Sequence, residues 1–201
     1  MGKIQKRIND IFINCLAHDT ISIIDILFDK FIDSDDWKLK EVIEFMDRDD
    51  IDMFKHIFNK LNQEEKDIND ALYESVAHNF MSITRFLFEK STPNKEILGN
   101  QLINIICGYG PKKFTTNDMF IFLIDKADLN VKDYGGGTPL FRAIEQCRLD
   151  LVKILIENKC DIDINAITIL CKNISKERVD EYADMLKYLL DKGVDIKLHE
   201  F

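Results

Sequence analysis

The chain holds 201 residues, 46% of them apolar, which suits one folded domain or one short repeat array. Its formal charge of −9 excludes a general binder of nucleic acid or anionic membrane, which would need surplus Lys and Arg, and points to a protein partner with a basic surface. Five cysteines (Cys15, Cys107, Cys147, Cys160, Cys171), odd in number and without a CxxC pair, read as reduced thiols in a cytoplasmic setting, and no run of about 18 apolar residues is present to span a membrane.

From the N-terminus, the basic stretch Met1 to Arg7 leads into Ile8-Asn9-Asp10 and not into the apolar core of a secretion signal. Lys6 stands where an N-myristoylation motif wants Ser or Thr. A short signature then recurs: Leu27-Phe28-Asp29-Lys30, Ile57-Phe58-Asn59-Lys60, Leu87-Phe88-Glu89-Lys90, Leu123-Ile124-Asp125-Lys126, Leu155-Ile156-Glu157-Asn158 and Leu189-Leu190-Asp191-Lys192. Spacings of 30, 30, 36, 32 and 34 residues are those of a repeat protein, whose units stack to bury a shared core. Each signature closes a helical apolar stripe, as Leu149, Val152 and Ile156 show in the fifth copy. Upstream of each lies a further helical run, over 8–17, 38–46, 68–77, 97–107, 139–146 and 165–172. Polar junctions such as His18-Asp19, Asp47-Arg48-Asp49-Asp50 and His78-Asn79 separate the two.

The expected fold is therefore all-α, one solenoid over 1–201 with about six helix pairs: 5–31, 36–61, 67–90, 95–130, 133–163 and 164–197. Insertions enlarge the fourth and sixth units at 108–116 and 174–182. The signature residues form the stacking core, so Leu87→Asp or Leu155→Asp is expected to unfold the array.

Unit five is the most explicit. Thr138 can cap the next helix, Pro139 suits its first position, and Gly136 permits a positive φ in the preceding turn. Thr138-Pro139-Leu140 and Ala143 resemble the ankyrin repeat signature, with Phe141 where the family has His. Asp150 to Ile156 resembles the family's outer helix, and Cys160-Asp161-Ile162-Asp163, Ala127-Asp128-Leu129-Asn130 and Val194-Asp195-Ile196 resemble its exit. The resemblance is strong over 117–196. Residues 1–90 share the helix-pair period but lack Thr-Pro-Leu and turn glycines, so their β-turn fingers are expected to be short or absent.

The resemblance implies a non-enzymatic protein-binding module whose contacts come from finger tips and the exposed ends of first helices. Carried onto this chain, that names Tyr134, Gly135, Gly137, Glu145 and Gln146 in unit five, and His18, Asp47, Arg48, His78, Lys172 and Asn173 at other first-helix ends. Tyr109, in a Gly-flanked insertion, joins them as an exposed aromatic. The Ile-, Lys-, Asp- and Phe-rich composition suggests an AT-rich genome. A stand-alone ankyrin protein of this kind resembles those of large DNA viruses and host-associated bacteria, and that resemblance implies binding that masks or inhibits a partner. Two alternatives differ in class: an acidic nucleic-acid mimic, and a small enzyme using Cys and His.

No cofactor or metal is implied. Gly135-Gly136-Gly137 lacks the Lys and spacing of a phosphate loop, Asp47 to Asp50 lacks the ligand pattern of a calcium loop, and Cys and His show no zinc spacing. Cys15, Cys107 and Cys171 fall near first-helix ends, close to the place of Ser75 and Ala143, and read as small core residues. His18 and His78 hold equivalent junction positions, which argues for a shared role and not a single active centre.

Overall fold

A computed structural model describes residues 3–18, 20–33, 35–62, 64–109, 117–162, 165–173 and 178–193. Among these the structure is helical, with no strand. First helices α1 (Lys3–His18), α3 (Leu39–Phe45), α5 (Glu65–Ala77), α7 (Lys95–Cys107), α9 (Pro139–Glu145) and α11 (Asn165–Asn173) fall on the six runs expected from periodicity. Second helices α2 (Ile21–Lys30), α4 (Ile51–Phe58), α6 (Met81–Phe88), α8 (Asp118–Leu123), α10 (Leu149–Glu157) and α12 (Val179–Asp191) carry the recurring signatures at or just beyond their ends. The insertion residues 110–116 and 174–177 and the exit Val194-Asp195-Ile196 lie outside the described residues.

The chain forms two compact units, Met1–Pro93 and Asn94–Phe201. In the first, α1 packs on α3 and α3 on α5, with each first helix also against its own second helix. Phenylalanines fill this unit. Phe12 meets Phe28 and Trp37 edge-on at 5.7 and 4.7 Å, and Phe86 meets Phe54 and Phe58 at 6.2 and 5.0 Å. The connectors are short, at 59–64 and 89–94, as the missing finger residues predict.

In the second unit α7 packs on α9 and α9 on α11. Here the connector 124–138 is long and carries a finger. Gly99 lets that connector press onto α7: a Cβ there would stand 2.2 Å from the Asp128 carbonyl oxygen and 2.6 Å from Val131. The Asp128 N–H donates to the Lys95 carbonyl at 2.8 Å in the same contact.

One backbone closure recurs after first helices. The N–H groups of Thr20, Phe80, Tyr109 and Arg148 donate to the carbonyls of Cys15, Ser75, Asn104 and Ala143, five residues back, at 3.4, 2.9, 2.9 and 2.9 Å. The turn residue takes a left-handed conformation, with φ of 58° at Asn79, 70° at Gly108 and 53° at Cys147. Cys15, Ser75 and Ala143 are the buried small residues of this closure. The cysteine expectation is corrected elsewhere: Cys107 is half-buried, and Cys171 is exposed because α11 turns Leu170 inward instead. In α5 the small position also carries polarity. Ser75 Oγ donates to the Leu72 carbonyl at 2.8 Å and pairs with Thr84 Oγ1 at 2.8 Å, satisfying both buried hydroxyls.

The second helix α6 receives its cap from the repeat before. Asp49 accepts from the backbone N–H of Ser82 at 2.6 Å and of Ile83 at 3.0 Å, where α6 has no side-chain cap of its own. Asn117 donates to Asp150 at 2.9 Å and accepts from Arg148 at 3.1 Å at the start of α10. The cap on α6 and the side-chain bonds of Asn117 each fix adjacent repeats in register.

Candidate partner-binding groove

Five residues build the finger. The Asp133 N–H donates to the Gly137 carbonyl at 3.0 Å, and the Gly136 N–H to the Asp133 carbonyl at 2.8 Å. Asp133 Oδ1 accepts from the N–H groups of Gly135 and Gly137 at 2.9 and 3.0 Å. Gly136 has φ of 77°, which a glycine adopts without strain. Thr138 then caps α9 by accepting from the Phe141 N–H at 3.2 Å, with Pro139 in the first turn.

Arg142, one turn into α9, clamps this finger. It reaches Asp133 with Nε at 2.8 Å and Nη2 at 3.1 Å, and Glu145 with Nη1 at 2.7 Å. The guanidinium lies against the finger backbone, so a Cβ on Gly135 or Gly137 would stand 2.6 or 2.7 Å from it. The hydrogen bond from Arg142 holds the Asp133 carboxyl below its ordinary range. Gly135 and Gly137 are thus spacers for the arginine.

Beside this clamp lies a groove of about 470 Å³. Lys132 and Gly136 come from the finger, Phe141 and Glu145 from α9, and Thr168, Ile169, Lys172 and Asn173 from α11. Its floor is apolar at Phe141 and Ile169, and its rim carries Lys132 and Lys172, neither in an ion pair with any described residue. Three of the residues expected from sequence, Glu145, Lys172 and Asn173, meet here. Tyr134 and Gly135 stand exposed on the adjoining finger and Gln146 is exposed at the end of α9, while Gly137 is buried.

Sequence reading missed Lys132, Phe141, Thr168 and Ile169 and took Gly136 only as a turn residue. The available signal was the helical step: 168 with 172 and 169 with 173 lie one turn apart, so the end of α11 offers a stripe and not only its last two residues. Phe141 was visible as the departure from the family's His.

The remaining expected residues occupy separate places. Tyr109 is 66% exposed after α7, and His18, Asp47 and Arg48 are exposed at first-helix ends, with Arg48 paired to Asp50 at 3.2 Å. Asp50 is the local cap of α4, accepting from the Met53 N–H at 3.0 Å. His78 is corrected to a buried position: its ring stacks on Phe80 at 5.4 Å, with Nδ1 3.1 Å from Glu74. The left-handed residue that follows turns the chain back over it.

Three of the thiols lack the environment of a nucleophile. Burial pushes Cys160 up to about 12 and raises Cys107 and Cys147 above their ordinary value, against the lowered pKa that thiolate chemistry needs. No group of His, Cys, Asp and Glu among the described residues is placed to hold a metal, and none of the described helices is long and apolar enough to cross a membrane.

Stacked helix pairs, a finger between them and a groove on the first helices define a helical-repeat protein-interaction fold. The family model for ankyrin repeats in three copies matches residues 82–168 and 117–200. The chain belongs to the ankyrin repeat family, a non-enzymatic interaction fold, and its all-α architecture is of that type. No curated protein sequence matches it.

Proposed function

We propose that this protein binds another protein through the groove between the fifth and sixth repeats and thereby masks part of the partner's surface. The observation that carries this is the convergence of finger, α9 and α11 on one cleft with an apolar floor and two lysines on its rim. The floor takes an apolar side chain of the partner, and Lys132 and Lys172 take carbonyl or carboxylate oxygens beside it. Tyr134, fully exposed on a finger braced by Arg142, supplies an aromatic contact at little cost in ordering. The overall charge of −9 acts at longer range and favours approach by a partner of basic surface. Masking fits a chain with repeats along its whole described length, in the manner of the stand-alone viral and bacterial ankyrin proteins that it resembles.

The test is affinity capture from native or host lysate by the intact chain and by a variant carrying Tyr134→Ala, Phe141→Ala and Ile169→Asp. Captured proteins are expected to fall at least tenfold with the variant while its circular dichroism is unchanged. Equal capture by both chains would overturn the groove as the binding site.

A further inference from the structure

The first repeat is apolar on the side by which the second, third and sixth repeats meet their predecessors. Aligning the signatures places Ile26 in register with His56, Phe86 and Tyr188. Each of these touches the repeat before it. His56 Nε2 lies 2.9 Å from Asp25, Phe86 packs on Phe54 and Phe58, and Lys153 Nζ lies 5.6 Å from the Tyr188 ring centroid. Ile23 is in register with Met53, Ile83, Leu151 and Met185, which are at most 1% exposed, yet Ile23 is 42% exposed and Ile26 52%.

The first helix repeats the pattern. Matching the backbone closures at Cys15 and Ser75 places Ile11 in register with Ala71 and Arg7 with Asp67. Asp67 pairs with Lys38 of the preceding repeat at 3.0 Å, and Ala71, one turn on, is fully buried. Ile11 is 47% exposed on the equivalent face of α1, and Ile4, two turns earlier, is 75% exposed. Four open isoleucines on two packed helices make a patch of a few hundred Å², at the upper end of what a monomer exposes.

We infer that this face is a homodimer interface, in which α1 and α2 of one copy stack on α1 and α2 of a second copy about a two-fold axis. Three features select this occupant. The register positions are those that a helix pair with an apolar outward side covers, and the same face on another copy is such a pair. Residues 3–30 hold four cations and four carboxylates, so this repeat is neutral within a chain of charge −9, and two copies meet here without the repulsion their other surfaces carry. An isologous contact of this kind closes at two copies.

Sedimentation velocity of the full chain tests this over about 1 µM to 0.5 mM, spanning the dissociation constants usual for interfaces of this size. The wild type is expected to pass from monomer to dimer with concentration and to stop there. Ile26→Lys, on an exposed helix face, is expected to raise the dimer dissociation constant at least tenfold, and Ile11→Lys with Ile26→Lys to leave a monomer throughout. Both variants should keep wild-type circular dichroism. A wild type that stays monomeric, growth beyond the dimer by head-to-tail association, or folded variants that dimerise unchanged would each overturn the assignment.

Discussion

Gly99 shows how a single atom can decide between two opposite expectations. In an exposed helix interior, Gly to Ala stabilises by about 1 kcal/mol through lost chain entropy. In α7 the added Cβ would meet the Asp128 carbonyl at 2.2 Å and Val131 at 2.6 Å, and the first of these is backbone that cannot rotate away. Overpacking of this kind costs about 1–3 kcal/mol and here outweighs the propensity gain. Gly99→Ala should therefore lower the urea midpoint, and a midpoint at or above wild type would show that the connector yields. The same close approach was hidden in the sequence, because nothing in Leu98-Gly99-Asn100 names a residue about thirty positions away as its neighbour. His78 escaped for a related reason. Its equivalence to His18 was readable, but the turn at Asn79 that buries it depends on backbone closure.

At the scale of elements the sequence was a good guide wherever the governing interaction is local. All six first helices lie where three- and four-residue steps put them, and Thr138-Pro139 starts α9 as capping chemistry requires. The groove was half readable, since helix ends could be named but the α11 face could not be aligned with the finger without knowing the packing. Caps that cross repeats were unreadable, because Asp49 looked like part of a solvated junction. Its carboxylate accepts two backbone N–H bonds at the start of α6, whose own N-cap residue is Phe80. Asp49→Ala should destabilise the chain by about 1–2 kcal/mol, as loss of a charged cap does. Glu44→Ala, on the exposed side of α3, should stay within about 0.5 kcal/mol in the same denaturation series. Equal effects from the two substitutions would remove the cross-repeat cap from the account.

For the whole molecule the decisive variable is pH, because an acidic protein balances self-repulsion against paired carboxylates. Arg148 donates to Asp150 and holds its pKa at about 2, against an ordinary 3.8, while Lys60 and His56 lower Asp25 and Arg142 lowers Asp133. A carboxylate depressed by folding contributes its stability above the unfolded pKa and loses it as pH falls through the folded one. As pH descends from 7 toward the sequence pI near 5.0, net charge shrinks and repulsion is relieved, so stability should hold or rise. Below about pH 4 the unfolded chain takes up protons that the paired native carboxylates refuse, and stability should fall steeply toward pH 2. Asp150→Asn keeps the side-chain shape but removes one such group. Urea midpoints measured from pH 7 to 2.5 should then start lower than wild type and decline less steeply below pH 4. An acid limb parallel to that of the wild type would mean that the Arg148 pair carries no pH-dependent stability and that the remaining carboxylates set the acid transition alone.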